Sequence, residues 1–101
     1  MNNLLSFFIS FWDVIILNIQ EAIRSRILEL MAERDLTISE LSRRAELRQS
    51  TVNSIIKGEV KSPTVQSTLL IAKAMGLSLD QFFNSPHFRN INTDDLNKKS
   101  R

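Results

Sequence analysis

Hydrophobic positions in the first twenty residues crowd together instead of alternating with polar ones. Leu4 to Ile19 reads LLSFFISFWDVIILNI and is apolar except at Ser6, Ser10, Asp13 and Asn18. The polar positions Asn3, Ser6, Ser10, Asp13, Gln20 and Arg24 recur at steps of three, four and seven. The segment therefore reads as a helix with one narrow polar stripe and a wide apolar face. That face needs cover from the rest of the chain, from a second subunit or from a membrane surface. The run is shorter than the ~20 apolar residues of a membrane-crossing helix and carries an aspartate near its middle, so integral insertion is not expected. No basic region precedes it, unlike a signal peptide.

From Glu21 onward the pattern is more regular. Ile23, Ile27, Leu30 and Met31 form one face of an amphipathic helix with Arg24, Arg26, Glu29, Glu33 and Arg34 opposite, and this helix is expected to end near Arg34 or Asp35. Thr37-Ile38-Ser39-Glu40 has the spacing of a capping box and opens a short helix that carries Leu41 inward. Ala45-Glu46-Leu47 interrupts it. Gln49 to Lys57 resumes helical spacing, with Val52, Ile55 and Ile56 on the apolar side, and stops at Gly58. A polar connector, Glu59 to Pro63, follows. Thr64 can cap a helix over Val65 to Met75 that offers Leu69, Ile71, Ala72 and Met75 to the core and ends at Gly76. Ser78, Leu79, Phe82 and Phe83 suggest one more short helix. Beyond Asn84 the chain reads NSPHFRNINTDDLNKKSR, which is too polar to support a core and predicts a frayed tail. With no strand-like alternation, the expected class is all-α.

Composition narrows the chemistry. The 101 residues suit one domain and include no cysteine, one histidine (His87) and two glycines. Disulfides, thiolate chemistry, a histidine-rich metal site and a glycine-rich phosphate loop are thereby excluded, and no enzyme, cofactor or metal is expected. The lack of cysteine suits a reducing compartment, and a cytoplasmic location is expected. Thirteen Lys and Arg against eleven Asp and Glu give +2. Residues 1–23 hold no basic residue and two acids, so residues 24–101 carry a net +4. His87 lies in the polar tail beside Phe88, with no second ligand near it in sequence. Asp94 and Asp95, after Thr93, read as a capped helical turn rather than a catalytic pair.

Two short helices around a three-residue bend, sharing Leu41, Leu47, Val52 and Ile55, have the spacing of a helix-turn-helix, whose second helix enters the DNA major groove. LTISELSRRAELRQSTVNSIIKG (residues 36–58), followed by SPTVQSTLLIAKAMGLSLDQFF (residues 62–83), resembles the Cro and phage-repressor type of helix-turn-helix, also called the XRE family. Over residues 21–83 the resemblance implies a five-helix, lambda-repressor-like DNA-binding domain. The helix-turn-helix itself spans 37–58, an extra apolar helix precedes it in residues 1–20, and residues 84–101 form a polar tail. Two positions depart from the family. Glu46 stands where a turn glycine is common, and a non-glycine residue in a left-handed conformation costs ~1–2 kcal/mol. Arg48 replaces a small hydroxyl cap worth ~1 kcal/mol.

The resemblance implies roles for particular residues. Gln49, Ser50, Asn53 and Ser54, facing away from Val52 and Ile55, take the base-reading positions, and the amides of Gln49 and Asn53 suit adenine. Arg43, Arg44, Arg48, Lys57 and Lys61 put five basic side chains against two acids in residues 41–61. They are candidate phosphate contacts, with ordinary surface charge expected for two of them. Thr37 and Thr64 join the candidates as residues at helix N-termini. Leu70, Phe82, Phe83 and Trp12 are the dimer candidates, with Phe82 and Phe83 also read as core closure.

The function implied is a homodimeric transcriptional regulator, a repressor, on double-stranded DNA with a near-palindromic operator. An antitoxin or a restriction-system controller uses the same domain, and whether a protein partner, a toxin or an effector, exists is left open by the sequence. From another class, the apolar N-terminus suggests a protein-interaction or membrane-associated module. Residues 1–20 keep four readings: dimer helix, core cover, membrane-surface helix, or translated leader, the last because family domains begin near residues 18–21 here.

Overall fold

The computed structural model describes residues 3–60, 63–89 and 91, with side chains described from Ile19 onward. Among these residues every regular element is helical: α1 (Asn3–Arg34), α2 (Ile38–Ala45), α3 (Gln49–Lys57), α4 (Val65–Ala74), α5 (Leu79–Phe83) and α6 (Pro86–Arg89). The expected extra N-terminal helix is not separate. It runs without a break into the first helix of the domain as α1, because no glycine or proline occurs before Gly58 to interrupt the backbone ladder.

Four helices end in the same device. At α1, Asp35 takes a left-handed φ of 52°, the Leu36 amide donates to the Met31 carbonyl at 3.0 Å and the Asp35 amide to Ala32 at 3.3 Å. The same pair of bonds closes α2 at Glu46 (φ 56°), α3 at Gly58 (φ 76°) and α4 at Gly76 (φ 80°). These are Schellman endings, two on glycine and two on acidic residues that bear the left-handed strain. Helix starts are equally local. Thr37 caps α2 and Ser78 caps α5, each in a reciprocal capping box, and Thr64 caps α4 by accepting from the Ser67 amide at 3.0 Å.

The core gathers Ile23, Ile27, Leu30 and Met31 of α1 with Leu36, Leu41, Ala45, Val52, Ile55, Ile71, Ala72, Met75 and Phe82. Leu41, Val52, Ile71, Ala72 and Phe82 are fully enclosed. On α4 the inward row is Thr68, Ile71, Ala72 and Met75, not Leu69. The row advances by three and four residues, and its polar member gives its hydroxyl proton to the Thr64 carbonyl at 2.9 Å, so burial costs it no hydrogen bond.

Past Asn84 the sequence predicts a frayed tail, but residues 85–89 belong to the body. Ser85 is buried at 2% exposure, and α6 packs along α1. The Phe88 ring lies 6.0 Å from Phe82 and 4.8 Å from Phe83 between centroids, and Phe82 and Phe83 meet edge-on at 5.1 Å. One aromatic residue in a polar stretch suffices when two others wait for it.

Candidate nucleic-acid interface

The outward face of α3 follows from its length and its two buried residues. With Val52 and Ile55 inside, Gln49, Ser50, Asn53, Ser54 and Lys57 share an arc of roughly 140° on the opposite side of the helix. Gln49, Ser50 and Lys57 are exposed, and Asn53 and Ser54 are half-buried. The helix carries no acid. Its N-cap, Arg48, carries only donors and makes no side-chain cap bond, which leaves the first amides of α3 open. The bend before it is shaped by Glu46 in the left-handed region and by Leu47, which packs half-buried against the core.

Apart from exposed Lys73 on α4 and Arg89, which donates to the Asn84 side chain at 2.8 Å, the basic side chains among the described residues sort into two groups. Those of α1 are committed to the fold. Arg24 Nε donates to the Ile56 carbonyl at the end of α3, Arg26 donates to the Phe82 and Gln81 carbonyls at 2.8 and 3.0 Å, and Arg34 Nε donates to Met75 at 2.9 Å. One helix thus supplies a cation to the carbonyl end of each of α3, α5 and α4, where the helix dipole and orphan carbonyls favour positive charge. Arg26 also pairs with Glu29 at 2.8 Å and stands 6.0 Å above the Phe82 ring. The Gln20 amide, 6% exposed, adds bonds to the Gly58 and Val60 carbonyls.

The second group is free. Arg43, Arg44, Arg48 and Lys57 are exposed, and among the described residues none of the four enters a side-chain hydrogen bond or ion pair. They lie at the end of α2, the start of α3 and the end of α3, around the polar arc. Lys61 lies outside the described residues.

The two helix N-terminal threonines differ. Thr37 accepts from the Glu40 amide and gives its own proton to the Glu40 carboxylate at 3.0 Å, and that carboxylate also takes the Thr37 amide at 3.1 Å. These bonds, the Thr37 amide first, hold Glu40 below the ordinary carboxylate value, so the α2 N-terminus already has its anion. Thr64 sits at an N-terminus with no acid in its first turn, followed by exposed Val65 and Gln66.

Of the dimer candidates, Phe82 is at 0% exposure in the core and has no surface to give a second subunit, because the three-ring cluster and Arg26 enclose it. Phe83 is 41% exposed, and Leu70 is half-buried against the core. The Trp12 side chain lies outside the described residues.

Sequence reasoning missed the anchoring by Gln20, Arg24, Arg26 and Arg34. The signal was present for two of them: Gln20 and Arg34 stand seven residues on either side of Ile27, on its face of the helix, and a polar residue at a core position marks a buried donor. Among the residues whose side chains are described, no helix is long and apolar enough to cross a membrane. Comparison with curated proteins and with solved structures finds no match. A family model described as the Cro/C1-type helix-turn-helix DNA-binding domain matches residues 26–86, from the last third of α1 to the start of α6.

Proposed function

The chain belongs to the Cro/C1-type helix-turn-helix DNA-binding domain family, and from that premise we propose that it is a repressor that binds a near-palindromic operator as a homodimer. The observation that carries this reading is the polar, acid-free arc of α3 rimmed by four cations with no protein partner among the described residues. Lodged in the major groove, Gln49 and Asn53 read base edges, with Ser50 and Ser54 beside them. Arg43, Arg44, Arg48 and Lys57, with Lys61 following in sequence, meet phosphates on either side, and the α4 N-terminus at Thr64 meets another. Thr37 is the least suited of the proposed contacts, since Glu40 holds its proton and its helix end. Repression follows from occupying promoter DNA in the cytoplasm, and the reading gives the chain no catalytic role.

Selection of bound duplexes from a random pool, followed by footprinting, tests the proposal and gives half-site and spacing together. Gln49→Ala and Asn53→Ala are expected to relax base preference by ~1–3 kcal/mol each. Lys57→Ala weakens binding to all sequences and reduces the salt slope by about one. Unchanged DNA affinity in both Lys57→Ala and Arg44→Ala chains sinks the assignment of this surface. An enriched site without two-fold symmetry sinks the homodimer.

A further inference from the structure

We propose that the N-terminal half of α1 is the seam at which two copies of this chain pair, and that Gln20 and Arg24 tie that seam to the position of α3. A 32-residue helix is about 48 Å long, and the longest dimension of the protein is 49 Å against 26 and 21 Å for the others. The core face of α1, defined by Ile23, Ile27 and Leu30, continues toward the N-terminus at steps of three and four through the register positions Ile19, Ile16, Trp12, Phe8 and Leu5. Along this row exposure rises from 6% at Ile23 to 37% at Ile19, one turn further out.

A second copy is the occupant that fits. Residues 1–23 contain no Lys or Arg, so the segment lacks the basic face by which interfacial helices hold anionic lipid. A second copy offers the same apolar row, as a two-fold interface requires. Phe8 and Trp12 of two chains supply roughly 600–1,000 Å² of buried surface at 150–250 Å² per aromatic. The aliphatic members of the row carry the sum past the ~1,200 Å² of a stable interface. The spacing argument rests on the DNA reading above. In an antiparallel overlap of residues 3–18, the two copies of Gln20 stand about 28 Å apart along the axis and those of Arg24 about 40 Å. These distances bracket the ~34–36 Å between half-site centres on one face of DNA. Gln20 bonds the Gly58 and Val60 carbonyls and Arg24 bonds that of Ile56, so the seam and the end of α3 move as one piece.

Light scattering on the full chain in the absence of DNA tests this, with an expected mass twice the 11.6 kDa of one chain. Trp12→Glu is expected to halve that mass or raise the dimer dissociation constant at least 100-fold. Leu28→Ser, exposed and off the row, keeps the dimer. Because the chain has no cysteine, oxidation of an equimolar mixture of Leu5→Cys and Ile16→Cys chains reads direction directly, and mixed disulfides are expected to dominate. This readout also covers the case in which Trp12→Glu fails to fold. A monomeric wild-type chain, a chain that floats with phosphatidylcholine vesicles, or disulfides between like positions overturns the proposal. A dimer that enriches no DNA leaves the seam standing and sinks the DNA reading, whereas a DNA-binding monomer sinks the seam and the homodimer and leaves the α3 surface standing.

Discussion

Replacing Glu46 by glycine isolates the cost of building the bend before α3 without a glycine. Glu46 holds φ 56°, ψ 38° at the end of α2, is exposed, and enters no side-chain bond among the described residues. Its side chain therefore contributes left-handed strain of ~1–2 kcal/mol and little else. Glycine removes that strain but gives back ~0.4–1 kcal/mol by loosening the unfolded chain. A net gain of about 1 kcal/mol remains, equal to a melting-temperature rise of about 4–8 °C for a domain of this size. Glu46→Ala removes the same charge and keeps a Cβ, so the glycine-minus-alanine difference reports the backbone alone. Circular-dichroism melts of both variants at neutral pH measure it. The mirror case is Gly58→Ala, where a Cβ would stand 3.5 Å from Gln20 Nε2 in ordinary contact, so its expected loss of about 1 kcal/mol comes from φ 76° and not from crowding. If Glu46→Gly melts no higher than Glu46→Ala, the strain argument is wrong, and the bend is set by Leu47 and the core instead.

Three further outcomes are expected. Arg26→Gln, which loses the bonds to Phe82 and Gln81 and the Glu29 pair from a side chain only 13% exposed, should destabilise by ~1–3 kcal/mol in urea titration. A loss below about 0.5 kcal/mol would mean that α5 finds other partners. Truncation after Asn84 should lower stability by ~1–3 kcal/mol through loss of the Phe88 contacts, with Phe88→Ala giving most of the effect; an unchanged melt would contradict the docking of α6. Glu29 is held below its ordinary 4.5 by the Arg26 hydrogen bond, Glu40 by the Thr37 amide, and Asp80 below 3.8 by the Ser78 hydroxyl. Lowered folded-state values mean that stability is fully present above about 4.5 and is lost as pH falls through those values, with Glu40→Gln flattening the decline. Melts that rise on acidification would refute this sign.

Much of the candidate site was legible because it is made of short-range chemistry. Capping at Thr37, Thr64 and Ser78, the stop at Gly58 and the polar arc of Gln49, Ser50 and Asn53 each depend on residues within one or two turns of one another. The end of α1 near Arg34 follows from the periodicity of its apolar face, although no glycine marks the left-handed position, which Asp35 takes. Errors came where identity and register disagree. Hydrophobicity alone puts Leu69 inside, but the helical row passes through Thr68, which satisfies its hydroxyl within its own turn.

By itself, then, the sequence determined the order and limits of the central helices, the helix-turn-helix they make and the face of α3 turned to solvent. Period and capping are local, and they fix φ, ψ and facing before any long-range contact forms. Only the tertiary structure decided which cations are spent on the fold and which keep no partner among the described residues. Arg24 and Arg26 look like surface charge in sequence and Arg34 differs from them only by its register, yet each reaches a helix end 32 to 56 residues away. The docking of Phe88 and the full burial of Phe82 were decided the same way. Such pairings depend on where separate helices come to rest against α1, and no window along the chain contains both partners.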